Sequence, residues 1–200
     1  MRNFLIILLL APVIGFSQMF ESKFELSLAE SKVLWEANYL TGGGHNGTLL
    51  PTSGFLQARG RDFIQGELNI DMNSIQNADL RDTQSRKDLE EHLRGKDFFD
   101  VDQFPTAKFV IVKVTSDALT GGQNRYKIQG LLQIKGRTNL VNFPVTIITT
   151  GKTINVVGDV VIDRTKWDIT YQSKTIFSGL KDSIIEDEVK IKVDLTFKTK

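Results

Sequence analysis

Residues 126–147 read YKIQGLLQIKGRTNLVNFPVTI, a segment in which apolar and polar side chains alternate on both sides of a short Lys-Gly-Arg sequence. An alternation with a period of two is typical of antiparallel strands that have one buried and one solvated face. Residues 135–137, with their central glycine, can join two such strands through a tight turn. The segment therefore predicts a pair of neighbouring antiparallel strands.

The same alternation recurs along most of the chain. It is present at residues 32–39, 64–72, 154–162 and 189–197, and segments near 47–57 and 107–115 bring the predicted total to about eight strands. Gly121-Gly122 and Thr150-Gly151-Lys152 are short turns between successive strands. A meander of this kind forms a sandwich or closes into a barrel, and closure removes the exposed sheet edges. The sequence therefore predicts one all-β domain.

The period of two also assigns side chains to the two faces of the sheet. On the strand at residues 64–72, the apolar face begins at Ile64 and continues through Gly66, Leu68, Ile70 and Met72. On the later strands, the predicted interior residues are Ile128, Leu132, Val156, Val160, Ile191 and Val193.

Two segments interrupt the alternation. Ser85 and Asp88 have the spacing of a helix start, Leu89 and Leu93 lie four residues apart, and Gly95 can end the helix. This predicts a short helix between the third and fourth strands. The second interruption, residues 173–187 with Phe177 and Leu180, is predicted to be a loop with about one helical turn.

An aromatic segment follows the predicted helix. Residues 92–109 read HLRGKDFFDVDQFPTAKF and contain four phenylalanines without a strand or helix period. Pro105 holds the residue before it in an extended conformation, so these rings must bury themselves against a structure that already exists. They either plug one end of the β-domain as a satellite core or form one wall of an elongated apolar cavity.

The first seventeen residues have the features of a secretory signal peptide. A short basic start precedes the apolar segment Phe4–Phe16, and Gly15 and Ser17 supply the small residues of a cleavage site. The segment is too short to span a bilayer of about 30 Å as a helix. We predict cleavage between Ser17 and Gln18, a lead-in at residues 18–26 and a β-domain at residues 27–198. The mature protein is then expected in the periplasm or outside the cell.

The composition excludes several function classes. The chain has a formal net charge of +1, which gives no overall field for nucleic acid, and it contains no cysteine, which excludes disulfides and zinc–thiolate sites. His45 and His92 lie far apart and belong to no ligand or triad motif. The sequence therefore predicts no catalytic residues, no metal site and no cofactor, and we do not expect an enzyme.

Several motifs resemble the YceI-like family over most of the chain, from about Ser27 to Phe197. They are the aromatic segment at 92–109, DMNSI at 71–75, IQGLLQIKGRTNLVNFPV at 128–145 and GDVVIDRTKWDI at 158–169. The resemblance implies an exported, lipocalin-like, eight-stranded antiparallel up-and-down barrel whose tunnel holds a long isoprenoid or quinone tail. It implies no stable insertion into a membrane, and it leaves a homodimer open.

The resemblance also implies which residues contact the lipid. The expected tunnel residues are aromatic: Phe98, Phe99, Phe104, Phe109, Trp35, Tyr126, Phe143 and Trp167. His92 and Arg164 are the candidates for contact with a head group, although His92 also suits the end of the helix and Arg164 suits an ion pair with Asp163.

Three alternatives to lipid binding remain open at this point. The first is a structural or stress-related exported barrel with an aromatic-plugged core and no ligand. The second is an eight-stranded outer-membrane barrel, which is disfavoured because the aromatics gather in one segment and do not form two girdles. The third is an enzyme. The identity of the lipid, and whether the protein carries, stores or senses it, cannot be read from these patterns.

Overall fold

The computed structural model describes residues 21–117, 124–176 and 184–199. The predicted signal peptide with its Ser17/Gln18 site, the Gly121-Gly122 turn, Phe177 and Leu180 lie outside the described residues. The strands are β1 (Glu21–Leu26), β2 (Lys32–Tyr39), β3 (Gly44–Arg59), β4 (Asp62–Asn77), β5 (Thr106–Ser116), β6 (Arg125–Ile134), β7 (Arg137–Thr150), β8 (Thr153–Asp163) and β9 (Ile185–Lys198). Helix α1 spans Thr83–Arg94, and 3-10 helices span Leu28–Glu30 and Arg164–Trp167. Neither α1 nor any other helix in the described ranges is long and apolar enough to span a membrane.

Strands β2 to β9 form a closed antiparallel barrel of eight strands in sequence order. Each strand pairs with the next along the chain, and β2 pairs with β9 to close the sheet, with Val33 opposite Val193. The closed up-and-down barrel that the family resemblance implied is therefore confirmed. Helix α1 and the aromatic segment lie between the third and fourth barrel strands, as predicted.

The first barrel strand is divided into two parts. Both β1 and β2 lie between β3 and β9: in β1, Phe24 is opposite Leu56 and Leu26 is opposite Phe197. At the break, the backbone of Thr196 bonds to Ser27 and to the Ser31 hydroxyl in place of a continuous ladder. Residues 21–26, which the sequence analysis placed in a lead-in, thus form part of the barrel wall.

The predicted faces hold for most strands. Ile128 and Leu132 are buried inside the barrel, whereas Gln133 is exposed. The prediction for Ile64 is wrong: this side chain is 37% exposed. A β-bulge in β4 explains the difference, because Gln57 lies opposite Gln65 but Ala58 lies opposite Phe63, so the extra residue turns Ile64 outward and Phe63 inward.

Helix α1 begins three residues earlier than predicted. The side chain of Asp82 accepts a hydrogen bond from the backbone N–H of Ser85, so Asp82 is the N-cap. The helix ends before Gly95, as predicted, and the Arg94 guanidinium donates to the backbone carbonyl of Ile75 on β4. These contacts fix α1 across one end of the barrel and direct Leu93 into the core.

Candidate functional site

Two apolar cavities lie along the interior of the barrel. The first lies at the end covered by α1 and has a volume of about 140 Å³. The second lies towards the other end and has a volume of about 100 Å³. Both are lined by Ile70, Leu132 and Ile191, so the cavities adjoin at a waist formed by these three side chains. The barrel thus contains two adjoining apolar cavities, which these three side chains separate.

The walls of these cavities are almost entirely hydrocarbon. Aliphatic side chains from β2, β4, β6, β8 and β9 alternate into them, because every second residue of these strands points inward. A buried water molecule needs two to four polar partners, and an apolar cavity of about 150 Å³ in an engineered protein stays dry and takes up benzene. The interior of this barrel is therefore suited to an apolar guest.

Five of the eight predicted aromatic residues lie on the cavity walls. Phe98, Phe99 and Trp35 line the first cavity. Phe109 and Phe143 line the second cavity, with their ring centroids 5.6 Å apart. The aromatic segment therefore contributes to both cavities, because it first crosses the end of the barrel and then enters β5.

Phe104 and Tyr126 lie elsewhere. The ring of Phe104 packs over Gly136 at the β6–β7 turn, where any side chain would collide with it. Tyr126 packs edge-on against Phe63, with the ring centroids 5.7 Å apart, near the end of the second cavity. Neither residue is among those that line the two cavities, although Tyr126 packs against Phe63, which does line the second cavity.

Trp167 is also outside the cavity walls. It is 1% exposed, and its indole Nε1 donates to the backbone carbonyl of Leu132 at 3.0 Å. This bond attaches the 3-10 helix after β8 to β6. Trp167 therefore closes the core behind the cavity wall.

His92 lies on the outer side of the aromatic segment. Its Nε2 is 3.0 Å from Oδ2 of Asp97, and its side chain is 40% exposed. The ring packs edge-on against Phe98 and Tyr171, at centroid distances of 5.1 and 4.8 Å. His92 thus supports Phe98 from behind and does not line either cavity.

Arg164 reaches the wall of the first cavity, but its N–H groups are engaged by the protein. Its side chain is 4% exposed and lies 3.7 Å from Asp187, which is 7% exposed. Burial lowers the pKa of Arg164, and the charge of Asp187 opposes that shift. The guanidinium donates to four backbone carbonyls, those of Ile169, Tyr171, Ile185 and Glu186. Arg164 therefore joins the segment after β8 to the start of β9.

Asp187 completes this buried network. It accepts hydrogen bonds from the hydroxyl of Ser173 at 2.6 Å and from that of Thr175. Burial raises the pKa of Asp187, but these two hydrogen bonds and the charge of Arg164 outweigh it, so the pKa lies below its usual value. The carboxylate is ionised at neutral pH and holds residues 173–175 against β9.

The sequence analysis missed a second histidine–aspartate pair. His45 lines the first cavity, and its Nδ1 is 2.9 Å from Oδ2 of Asp79. The other oxygen of Asp79 accepts from the backbone N–H of Asn46 at 2.9 Å and from Nδ2 of Asn77 at 2.6 Å. Burial raises the pKa of Asp79, but these hydrogen bonds outweigh it and lower the pKa below its usual value.

The register of two strands brings His45 and Asp79 together. Gly47 of β3 lies opposite Asn77 of β4, and the same antiparallel register continued by two residues places His45 beside Asp79. Only the pairing of β3 with β4 could have revealed this, and the bulges in that pairing hide it from a simple count along the sequence. In the described ranges, no group of three or more His, Cys, Asp or Glu side chains could hold a metal ion.

The profile of the YceI-like domain matches residues 24–197. The chain belongs to the YceI-like domain family. The resemblance of its motifs to that family is thereby confirmed. A search of curated proteins gave no significant match.

Solved structures of YceI-like and related proteins share the barrel. The chain is 27% identical to Burkholderia cenocepacia BcnA, with a TM-score of 0.69, and the match covers 86% of this chain and 98% of that one. A polyisoprenoid binding domain from Saccharophagus degradans is 14% identical, with a TM-score of 0.63 and coverage of 88% and 98%. The YceI protein of Campylobacter jejuni is 13% identical, with a TM-score of 0.54 and coverage of 100% and 99%. The last two show a common fold.

Proposed function

We propose that this YceI-like protein binds a long isoprenoid chain inside its barrel. The observation that carries the proposal is the elongated apolar interior, in which the two cavities adjoin at the waist. Its length and narrow waist suit a flexible chain better than a bulky ring system. The fold is shared with a solved domain described as polyisoprenoid-binding, which supports the same ligand class.

The binding energy would come from the apolar surface that the ligand buries inside the barrel. A chain that buries several hundred Å² gains roughly 25 cal/mol per Å², from which the cost of ordering the chain and the protein is subtracted. Apolar burial depends on area and hardly on chemical identity, so the cavity discriminates by length and width. We therefore propose a binder of a lipid class, with no catalytic step.

We further propose that the protein carries this lipid in the periplasm or outside the cell. The support is the amino-terminal sequence, with its basic start, its apolar segment and its small residues at Gly15 and Ser17. The mass of protein purified from the cell envelope tests this, because cleavage would leave Gln18 as the first residue. An intact Met1 in that material would disprove it.

The waist provides the sharpest test of binding. Leu132→Trp would fill the constriction, whereas Leu131→Trp places the same ring on the outer face, where Leu131 is 40% exposed. The assay measures displacement of a fluorescent long-chain probe by geranylgeraniol. We expect the wild type and Leu131→Trp to bind both the probe and geranylgeraniol. Leu132→Trp should bind neither of these two ligands. Circular dichroism verifies folding, and Ile191→Phe offers a second block at the waist if Leu132→Trp does not fold.

One observation favours a second candidate function, a plugged barrel without a ligand. Phe98 is 7% exposed and packs against Tyr171 at a centroid distance of 5.2 Å as well as against His92. If the wild type binds no long-chain isoprenoid, the aromatic segment acts as a plug and the proposed binding function is wrong. If Leu132→Trp binds geranylgeraniol as tightly as the wild type does, the isoprenoid chain binds outside the barrel interior.

A further inference from the structure

Two polar atoms on the wall of the first cavity lack a partner in the described part of the chain. The first is the indole Nε1 of Trp35, a buried donor with no hydrogen bond. The second is Nε2 of His45, whose Nδ1 is already bonded to Asp79. Both residues line the first cavity. Asn38, Tyr39 and Arg164 also line this cavity and the rest of its wall is apolar, so the two atoms without a partner favour particular polar groups on a guest.

The unpaired indole N–H is a costly feature. Trp35 is 8% exposed, and a buried donor without an acceptor destabilises the folded protein. Its ring lies across Gly47, the residue opposite it on β3, where a side chain would collide first with the backbone carbonyl of Gln76 and would come within 2.8 Å of the indole carbon next to Nε1. Glycine at this position thus makes room for both the Gln76 carbonyl and the indole. An oxygen atom from a ligand would satisfy the N–H.

The hydrogen bonds of Asp79 determine which tautomer His45 adopts. One carboxylate oxygen accepts from Asn46 and Asn77, and the other faces Nδ1 of His45. Since the carboxylate can only accept, the hydrogen of a neutral imidazole lies on Nδ1. Nε2 is then an acceptor, and it can take a hydrogen from a ligand.

The two polar atoms belong to the same face of neighbouring strands. Trp35 is opposite Gly47 and Ala37 is opposite His45, so Trp35 and His45 are diagonal neighbours across β2 and β3. Diagonal Cβ atoms are about 7–8 Å apart, within reach of aromatic side chains. A hydroxyl group is the small group that can both accept from the indole and donate to the imidazole.

The charges around the first cavity disfavour an anionic end group. Arg164 is the only Lys or Arg among the described residues that line this cavity, and its N–H groups are engaged by four backbone carbonyls and Asp187. The ionised Asp79 lies beside His45 and would repel a phosphate. No cation is therefore available on the described wall to neutralise a phosphate or diphosphate.

We propose that the first cavity binds the end of an isoprenoid alcohol, whose hydroxyl donates to Nε2 of His45 and accepts from Nε1–H of Trp35. This inference rests on the proposed binding function and adds the chemistry of the end group. It predicts selectivity for an alcohol over its phosphate, its methyl ether and the matching hydrocarbon.

The test measures the affinities of four probes by displacement of the fluorescent long-chain probe. The probes are geranylgeraniol, its methyl ether, its monophosphate and the matching hydrocarbon that lacks oxygen. One hydrogen bond changes an affinity by a factor that lies between a few-fold and about tenfold. We therefore expect the wild type to prefer the alcohol to the ether by such a factor. The phosphate should bind most weakly of the oxygenated probes.

Asp79→Asn provides the most specific outcome. The amide oxygen should accept from Asn46 and Asn77 as Oδ1 does now, so the amide nitrogen would face Nδ1 of His45 and donate to it. The hydrogen of His45 then moves to Nε2, which becomes a donor. The methyl ether should gain affinity by a few-fold, and the preference for the alcohol should disappear. A merely structural role of Asp79 would weaken all four probes together.

Two further variants separate the two contacts. His45→Phe should abolish the distinction between alcohol and ether, and it should change the affinity of the hydrocarbon by less than that of the alcohol. Trp35→Phe removes the N–H but keeps an aromatic ring, so it should weaken the alcohol and the ether relative to the hydrocarbon.

The pair of His92 and Asp97 is the matched control. His92 and Asp97 lie at the same end of the barrel and outside the cavity walls, so Asp97→Asn should leave the selectivity unchanged. If the wild type binds the hydrocarbon and the alcohol equally, the end-group inference is wrong and the binding function stands. A change of selectivity in Asp97→Asn also overturns the inference, because it would place the end group at His92. If no probe binds the wild type, the binding function itself fails.

Discussion

Truncation of the aromatic segment distinguishes a cavity wall from a plug, and the segment contains its own control. Phe98 and Phe99 line the first cavity, whereas Phe104 packs over Gly136 outside it. A fully packed phenylalanine costs about 3–5 kcal/mol when truncated to alanine. Because one side of Phe98 faces empty space, we expect about 2–3 kcal/mol for Phe98→Ala and about 1–2 kcal/mol for Phe99→Ala in the delipidated protein.

The effect of ligand is the more informative quantity. At a ligand concentration of about one hundred times Kd, binding stabilises the wild type by about 2.7 kcal/mol, which raises Tm by about 5–10 °C for a chain of this size. A ring that contributes about 60 Å² of its surface to the contact supplies about 1.5 kcal/mol, so its loss weakens binding about tenfold. The stabilisation by ligand should then fall to about 1.4 kcal/mol.

The assay is thermal melting of the wild type and the three alanine variants, each delipidated and then with geranylgeraniol at the same concentration, about one hundred times the wild-type Kd. We expect the rise in Tm to be halved in Phe98→Ala and Phe99→Ala and to remain complete in Phe104→Ala. An equal loss in all three variants, or a full rise in all three, would refute the assignment of the wall. A large loss of stability in delipidated Phe98→Ala without any change in the ligand-induced rise would indicate a plug.

Three other changes test the register, the buried network and a close contact. Leu132→Lys should prevent folding or cost several kcal/mol in a denaturant melt, because it buries an unpaired charge, whereas Gln133→Lys should be nearly neutral; equal tolerance would contradict the register. Asp187→Asn should cost about 3 kcal/mol at pH 7, because it leaves a buried guanidinium without its anion. The pKa of Asp187 is depressed in the folded protein. Its contribution to the free energy of unfolding is therefore present above the unfolded pKa of about 3.9 and is lost as the pH falls through the folded pKa. Urea melts of the wild type should show this loss of stability only below about pH 4, and Asp187→Asn should lack it. Gly130→Ala should cost about 1–3 kcal/mol, because the new methyl group would overlap the Phe109 ring and lie 2.8 Å from the backbone carbonyl of Val110; Phe109→Leu should restore the part of that loss that is due to the ring.

The sequence predicted the faces of the barrel well because its period of two is a direct consequence of strand geometry. Leu132 and Gln133 illustrate this, since adjacent residues must point to opposite sides. Ile64 shows the limit of that rule, because a bulge depends on how β4 pairs with β3 and leaves no local signal. Strand β1 escaped prediction for a similar reason: its six residues show little alternation, and their conformation follows from pairing with β3 and β9.

The candidate site was less predictable, because its parts meet only in the closed barrel. Aromatic content suggested Phe98 and Phe99, which line the first cavity, but the same criterion could not distinguish them from Phe104, which packs on a turn. His45 and Asp79 are 34 residues apart, and only the strand register brings them together. A polar pair within an apolar wall cannot be read from local composition.

The division of the first strand also affects the order of folding. Strand β9 pairs with β8 and with both β1 and β2, so the last strand of the barrel joins the first across more than 150 positions, as in the hydrogen bond between Ser31 and Thr196, 165 residues apart. Until β9 is available, β2 and β8 present unpaired edges, which are sites for aggregation. Contacts at such long separation make folding slow. The chain should therefore stay open until its carboxyl-terminal strand arrives, and an apolar guest could enter the barrel interior during that interval.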